Sequence, residues 1–229
     1  MSATNQANPT NPAETAGYED ERYRLAAVMR MAIEQLARVE GPDQALRRAA
    51  GELEDLAAEL ARFPRRSGTE GYAESANAGD IHALFDRSPL IGLANPLAPP
   101  IRLRTEGDRV FGDVRFGSAY EGPPGCLHGG FVAAAFDEVL GFAQSLTGNP
   151  GMTGTLTIRY KAPTPLHTDL RFEAWVEKVD GRKIFARGTL SAGRLVTAEA
   201  EGLFISIDAG RFASLIQEAG RRMRQGDEA

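Results

Sequence analysis

Cysteine is almost missing from this chain: Cys126 is the single one in 229 residues. No disulfide can close within the chain, and a reducing cytoplasm is the expected home. A basic surplus is missing too, with 26 Lys and Arg against 31 Asp and Glu and a net charge of -5. Nucleic acid is therefore not an expected partner, because its phosphates need neutralising. No apolar run approaches the roughly 18 to 20 residues of a membrane span, so none is expected. No histidine-bearing metal motif, phosphate loop, dinucleotide fingerprint or serine elbow appears, and no metal or other cofactor is expected. The opening "MSATNQANPTNPAETAGYEDE" lacks the pattern of a secretion signal or a transit peptide. Residues 1–17 read as a disordered tail.

What is present divides the chain. Residues 18–62 have helical texture. Leu25, Val28, Met29, Ala32, Ile33, Leu36 and Val39 recur at the spacing of one helix face. Gly41-Pro42 interrupts, and a second stripe follows at Leu46, Ala49, Ala50, Leu53, Leu56, Ala57 and Leu60. This extension reads as a helical hairpin or one long kinked helix, an arm that packs on its own domain or on a sister subunit. Residues 63–100 form a proline-rich linker and irregular segment, 101–209 the main domain, and 210–229 a C-terminal tail.

Within the main domain "RVFGDVRFG" alternates Val110, Gly112, Val114 and Phe116 as a strand does. A turn of prolines and glycines, Gly122 to Gly130, delivers His128 to an apolar, alanine-rich segment from Phe131 to about Leu146, which predicts a buried helix. Four strand-like runs follow: "MTGTLTIRYKA", "DLRFEAWVEKVD", "KIFARGTLSA" and "LVTAEAEGLFISI". Asp180-Gly181 is a strong hairpin signal and Ala192-Gly193 a weaker one. The expected architecture is α+β: a strand, a buried helix, and an antiparallel meander of four strands that curls around the helix. The acids Asp137 and Glu138 sit inside the apolar helix, where carboxylates are out of place unless something needs them.

Taken together, "GPPGCLHGG", an acid nine residues after the histidine, "MTGTLTIRYKAPTPL", "VEKVDGRKIF" and "AEAEGLFISI" resemble the hotdog-fold acyl-CoA thioesterases. The similarity is to the phenylacetyl-CoA-thioesterase-like, carboxyl-terminal-modulator-like branch, over about 110–207. The resemblance implies a hotdog fold, an antiparallel sheet wrapped around one long central helix, with the N-terminal helices as an extension. It implies hydrolysis of a fatty or aromatic acyl-CoA to the free acid and CoA, by a homodimer or a dimer of dimers whose sites lie at the interface. By the same resemblance the Gly129 amide polarises the thioester carbonyl and Gly130 shapes the turn. Asp137, from the opposite subunit, acts as general base toward water or as a nucleophile forming a transient anhydride; both routes stay open.

Thr153 would orient the acid or its water, with Thr155 the weaker candidate. His128 is catalytic or a satisfied structural histidine. Glu138 points about 100° away from Asp137 and reads as structural or solvent-facing. Lys161, Arg182 and Lys183 are the candidates for the polyanionic end of CoA. One departure stands out: Gly122 occupies the position where some relatives carry an amide that positions substrate. A non-catalytic acyl-CoA sensor on the same fold is the alternative, and it has no need of Asp137. A hydratase fits less well, since such sites usually pair an aspartate with a histidine within a few residues.

Overall fold

The computed structural model describes residues 21–64, 87–148 and 151–206. The expected tails at 1–17 and 210–229, much of the linker, and the helix-breaking Asn149-Pro150 lie outside the described residues. Two helices come first, α1 (Glu21–Leu36) and α2 (Asp43–Leu60), separated at the expected Gly41-Pro42 break. Strands β1 (Arg102–Glu106) and β2 (Arg109–Val114) precede the long helix α3 (Gly129–Ser145). Strands β3 (Gly151–Tyr160), β4 (Leu170–Asp180), β5 (Lys183–Ala192) and β6 (Leu195–Ser206) follow it.

All six strands form one antiparallel sheet in the order β1-β2-β4-β5-β6-β3. This corrects the expected meander of four. β4, β5 and β6 do run as a meander, but β3 pairs with β6 on the far edge rather than with β4. The reason is the connection between β3 and β4, the nine residues from Lys161 to Asp169, which is too long for a tight hairpin. By contrast β4–β5 and β5–β6 turn in two residues each, with left-handed glycines Gly181 (φ 57°) and Gly193 (φ 59°) first in the loop. The signal at Ala192-Gly193 is therefore as good as the one at Asp180-Gly181. β1 had no counterpart in the expected strands; it is a short edge strand with Leu103 as its one buried residue.

The sheet curls around α3, which is apolar on almost every side and buries Val132, Ala135, Phe136, Val139, Leu140, Phe142 and Ala143. Every second residue of the strands faces it: Val110, Gly112 and Val114 on β2, then Leu170, Phe172 and Ala174 on β4. Burying each such large side chain contributes about 1.5–3 kcal/mol. Phe136 meets Phe172 edge to face at 5.1 Å. Two glycines let the helix sit close: a Cβ on Gly188 would lie 3.2 Å from Leu140, and one on Gly202 the same distance from it. Buried Gln144 ties the helix end to β3, accepting from the Gly151 amide at 2.9 Å.

Helix α1 packs on its own domain, one of the two arrangements expected of the arm. Its apolar stripe is only partly used: Leu25 and Met29 are half-buried, Val28, Ile33 and Leu36 are exposed, and Ala26 is the helix's one buried residue. Polar side chains dock α1. The guanidinium of Arg30 donates to the carbonyls of Leu93 (3.2 Å) and Asn95 (3.0 Å), and Glu34 accepts from the Ser118 amide at 2.7 Å. Those carbonyls lie in an irregular segment and that amide at the first residue of a 3-10 turn (Ser118–Tyr120), so each is left over for a charged partner, which is why polar residues win the contact. α2 buries no residue at all.

Candidate active site

The site grows from the turn that enters α3. That turn is stapled to the β3–β4 connection, with the Leu127 amide donating to Thr164 (2.8 Å) and the Leu166 amide to Gly125 (3.1 Å). Beneath it Tyr120 accepts from the His128 amide at 2.9 Å through its carbonyl, while its hydroxyl donates to Leu97 at 2.8 Å. Burial pushes the Tyr120 phenol up to about 12, with Glu34 adding to the shift and Arg30 opposing it.

His128 is the N-cap of α3, its Nδ1 accepting from the Gly130 amide at 3.0 Å. The histidine thus completes the helix start, and its cap holds the two glycines in place. Gly129 is the first helical residue, where an N–H has no acceptor inside the helix. No bond from that amide is made to any of the described residues. The positive end of the helix dipole adds to its pull on a carbonyl oxygen. The missing amide side chain at position 122 also has a local reason: a Cβ on Gly122 would lie 2.8 Å from the His128 Cα.

Tyr160, which sequence reasoning passed over, completes this end. Its hydroxyl donates to the Gly129 carbonyl at 2.8 Å, and its ring lies against Gly129, where a Cβ would be 3.3 Å from the hydroxyl. An aromatic at the end of a strand looks ordinary in sequence. Its partner is 31 residues away, so only the fold connects them.

The second group lies further along α3. Asp137 is exposed, on the narrow open face of α3 that also carries Gly130 and Ala134, and it accepts from the Thr153 hydroxyl at 2.7 Å. A β-bulge at Gly154 decides which threonine does this. Thr153 pairs with Phe204 and Thr155 with Leu203, neighbours that face opposite sides of β6. Thr153 therefore turns toward α3 and Thr155 away. Glu138 is half-buried rather than solvent-facing, accepting from the Ser88 hydroxyl at 2.9 Å. Burial holds its pKa above the ordinary value; the Ser88 bond pulls the other way and the Asp137 charge adds to the rise.

The structure brings His128, Gly129, Gly130 and Tyr160 together at one end of β3, and Asp137 and Thr153 toward the other. Asp137 lies eight residue steps beyond Gly129, about 12 Å along the axis. Lys161 follows Tyr160 and pairs with Glu199 at 3.4 Å. Arg182 and Lys183 are in the β4–β5 hairpin at the opposite end, Arg182 donating to the Ser206 carbonyl at 3.1 Å. The outer edge of β3 has no strand partner among the described residues.

A family model described as the thioesterase superfamily matches residues 124–198, which span this turn, α3 and most of the sheet. The crystal structure of a thioesterase superfamily protein, RHA08564, is 33% identical and superposes with a TM-score of 0.71, over 82% of this chain and 92% of that one. The chain belongs to the thioesterase superfamily. Its match to acyl-coenzyme A thioesterase THEM4 of Bos taurus is 37% identical over 94 residues, 40% of this chain and 38% of that protein. Acyl-coenzyme A thioesterase THEM5 of Homo sapiens is 30% identical over 93 residues, again 40% of this chain and 38% of that one. The matched stretch thus spans less than half the length of these curated relatives. Like other members of the superfamily's hotdog fold, this chain wraps its sheet around a single helix, and two helices lie ahead of that unit among the described residues.

Proposed function

We propose that this protein is an acyl-CoA thioesterase that converts acyl-CoA and water to a carboxylic acid and free CoA. The observation that carries the reading is the Thr153–Asp137 hydrogen bond. It holds an exposed carboxylate in one orientation on a largely buried, apolar helix, an arrangement that a mere ligand-holding module does not need. Thr153 occupies one carboxylate oxygen and leaves the other to take a proton from water as it attacks the carbonyl carbon, or to attack that carbon itself.

As the tetrahedral intermediate forms, the carbonyl oxygen gains negative charge, and the Gly129 amide at the helix start donates to it. A single such donor is worth roughly 10²–10³ in rate. Collapse expels the CoA sulfur, which leaves as a thiol once protonated. Because about 12 Å of helix separates the two groups, one chain cannot bring both to the same carbonyl. A homodimer in which the free edges of β3 meet antiparallel, about a two-fold axis perpendicular to the strands, would set one copy's Gly129 end beside the other's Asp137 end. Lys161, Arg182 and Lys183 supply positive charge at the two ends for the CoA phosphates. The near absence of cysteine supports a reducing, cytoplasmic setting.

Thiol release from short, medium, long and aromatic acyl-CoAs tests the reading. Wild type is expected to turn over at least one class, and Asp137→Asn to lower kcat by about 100-fold or more. Binding of acyl-CoA with no turnover by wild type would overturn it in favour of a sensor.

A further inference from the structure

Helix α1 reaches toward the active site through one side chain. Glu34 sends its carboxylate past Gly117, and its Oε2 accepts from the Ser118 amide at 2.7 Å. The approach is so close that a Cβ on Gly117 would lie 2.2 Å from that oxygen. Only glycine leaves room for the contact. His167 closes another side, with its Nε2 2.9 Å from the Ser118 hydroxyl oxygen and 3.9 Å from Glu34 Oε1. To sit there His167 takes a left-handed backbone (φ 55°), which residues with a Cβ seldom adopt, and its amide donates to the Phe116 carbonyl at 2.8 Å. Glu34 Oε1 is buried and accepts no hydrogen bond among the described residues, although the Arg38 guanidinium approaches to 3.6 Å. A glycine, a strained histidine and an under-satisfied oxygen all attend one hydrogen bond. Attaching a surface helix does not require this, since Arg30 already anchors α1 to Leu93 and Asn95.

The held amide opens the Ser118–Tyr120 turn, which leads straight to the start of α3. The Tyr120 amide donates to the Gly117 carbonyl and the Glu121 amide to the Ser118 carbonyl, both at 3.2 Å, which closes the turn. The Tyr120 carbonyl then accepts from the His128 amide at 2.9 Å, and its ring stands edge to face on Phe131 at 4.9 Å. Two hydrogen bonds and one short turn thus connect the Glu34 carboxylate to His128, whose own peptide carries the Gly129 amide. A turn this short has poor internal hydrogen-bond geometry, so a charged acceptor on its first amide does much to fix it.

We propose that Glu34 is a positioning residue of the active site: by holding the Ser118–Tyr120 turn it fixes His128, and with it the direction of the Gly129 amide. α1 is then part of the support of the site rather than an appendage. Its effect on rate rests on the thioesterase reading; its effect on the turn does not.

Amide hydrogen exchange read residue by residue by NMR, with thiol release measured alongside, tests this in the full-length chain. Glu34→Ala is expected to speed exchange at the His128 amide about tenfold, while the Leu127 amide, held by Thr164 outside this path, stays within about twofold of wild type. In the same variant kcat should fall about fivefold with KM unchanged. Glu34→Gln keeps an acceptor for the Ser118 amide and should recover most of both effects. Gly117→Ala crowds out the carboxylate with Glu34 intact; it should reproduce Glu34→Ala, and the double variant should be no worse than either. His128 exchange as slow in Glu34→Ala as in wild type would overturn the proposal, even if α1 came loose. So would faster exchange with an unchanged kcat in a protein that turns over. If wild type releases no thiol, the thioesterase reading falls, and the exchange rates alone decide whether Glu34 holds the turn.

Discussion

At its Tyr160 end β3 meets the very start of α3, and every group there is backbone or serves backbone. Tyr160 holds the Gly129 carbonyl, His128 holds the Gly130 amide, and Tyr120 holds the His128 amide. At its Thr153 end the same strand meets the same helix two turns on, and the contact is between two side chains, a hydroxyl and a carboxylate. In the proposed mechanism one end would supply a fixed donor for an oxygen that becomes negative, and the other a base or nucleophile. The contrast teaches why a single chain looks unfinished. The fold needs the length of α3 to fill the curled sheet, and that length keeps the two functions apart.

Substitutions at the two ends should therefore separate. Thr153→Val keeps the shape of the side chain and removes the hydrogen bond to Asp137. A charge-assisted bond of about 1.5 kcal/mol corresponds to roughly tenfold in kcat, with KM and the melting temperature close to wild type. Tyr160→Phe acts one step further from the chemistry, through the Gly129 peptide, and should lower kcat about threefold, again without a matching change in KM. If Tyr160→Phe instead raised KM alone, the tyrosine would be a substrate contact rather than a positioning residue.

The smallest effect is expected beside the acid. Glu138 has a raised pKa, so the folded protein holds this proton more tightly than the unfolded chain does. The stability it contributes is complete below the ordinary 4.5 and is lost as pH rises through the folded value. Glu138→Gln keeps an oxygen for the Ser88 hydroxyl and avoids the buried charge. It should raise the melting temperature at pH 7 by about 1–2 °C, with the gain gone below the ordinary carboxylate pKa. A drop at pH 7 would mean that the charge itself is needed there.

Local patterns carried much of this in the sequence. α3 was legible from its alanine-rich apolar run, and Asp137 stood out because a carboxylate is rare in such a helix. The hairpin at Gly181 was legible because a two-residue loop needs a left-handed residue. What local pattern does not carry is the place of β3, since strand order depends on pairing between residues far apart in the chain. The nine-residue connection with two prolines after Tyr160 was the available warning. Gly154 was a second cue, because a glycine inside a strand often marks a bulge, and this bulge is what separates Thr153 from Thr155. The docking of α1 largely escaped periodicity, because Arg30 and Glu34 bind backbone groups and the apolar stripe is only partly used.

The central claim is that each active site takes its amide from one copy and its acid from another, and subunit mixing tests it most directly. Gly129→Pro removes the donor at a helix position that tolerates proline, after a His128 whose ψ of 130° already suits a following proline. Asp137→Asn removes the acid. Each variant alone should be nearly inactive. Unfolded and refolded together in equal amounts, half of the dimers are mixed and each of those has one complete site, so about a quarter of wild-type activity should return. A mixture as inactive as its two components would contradict the account and place both groups at work within a single chain.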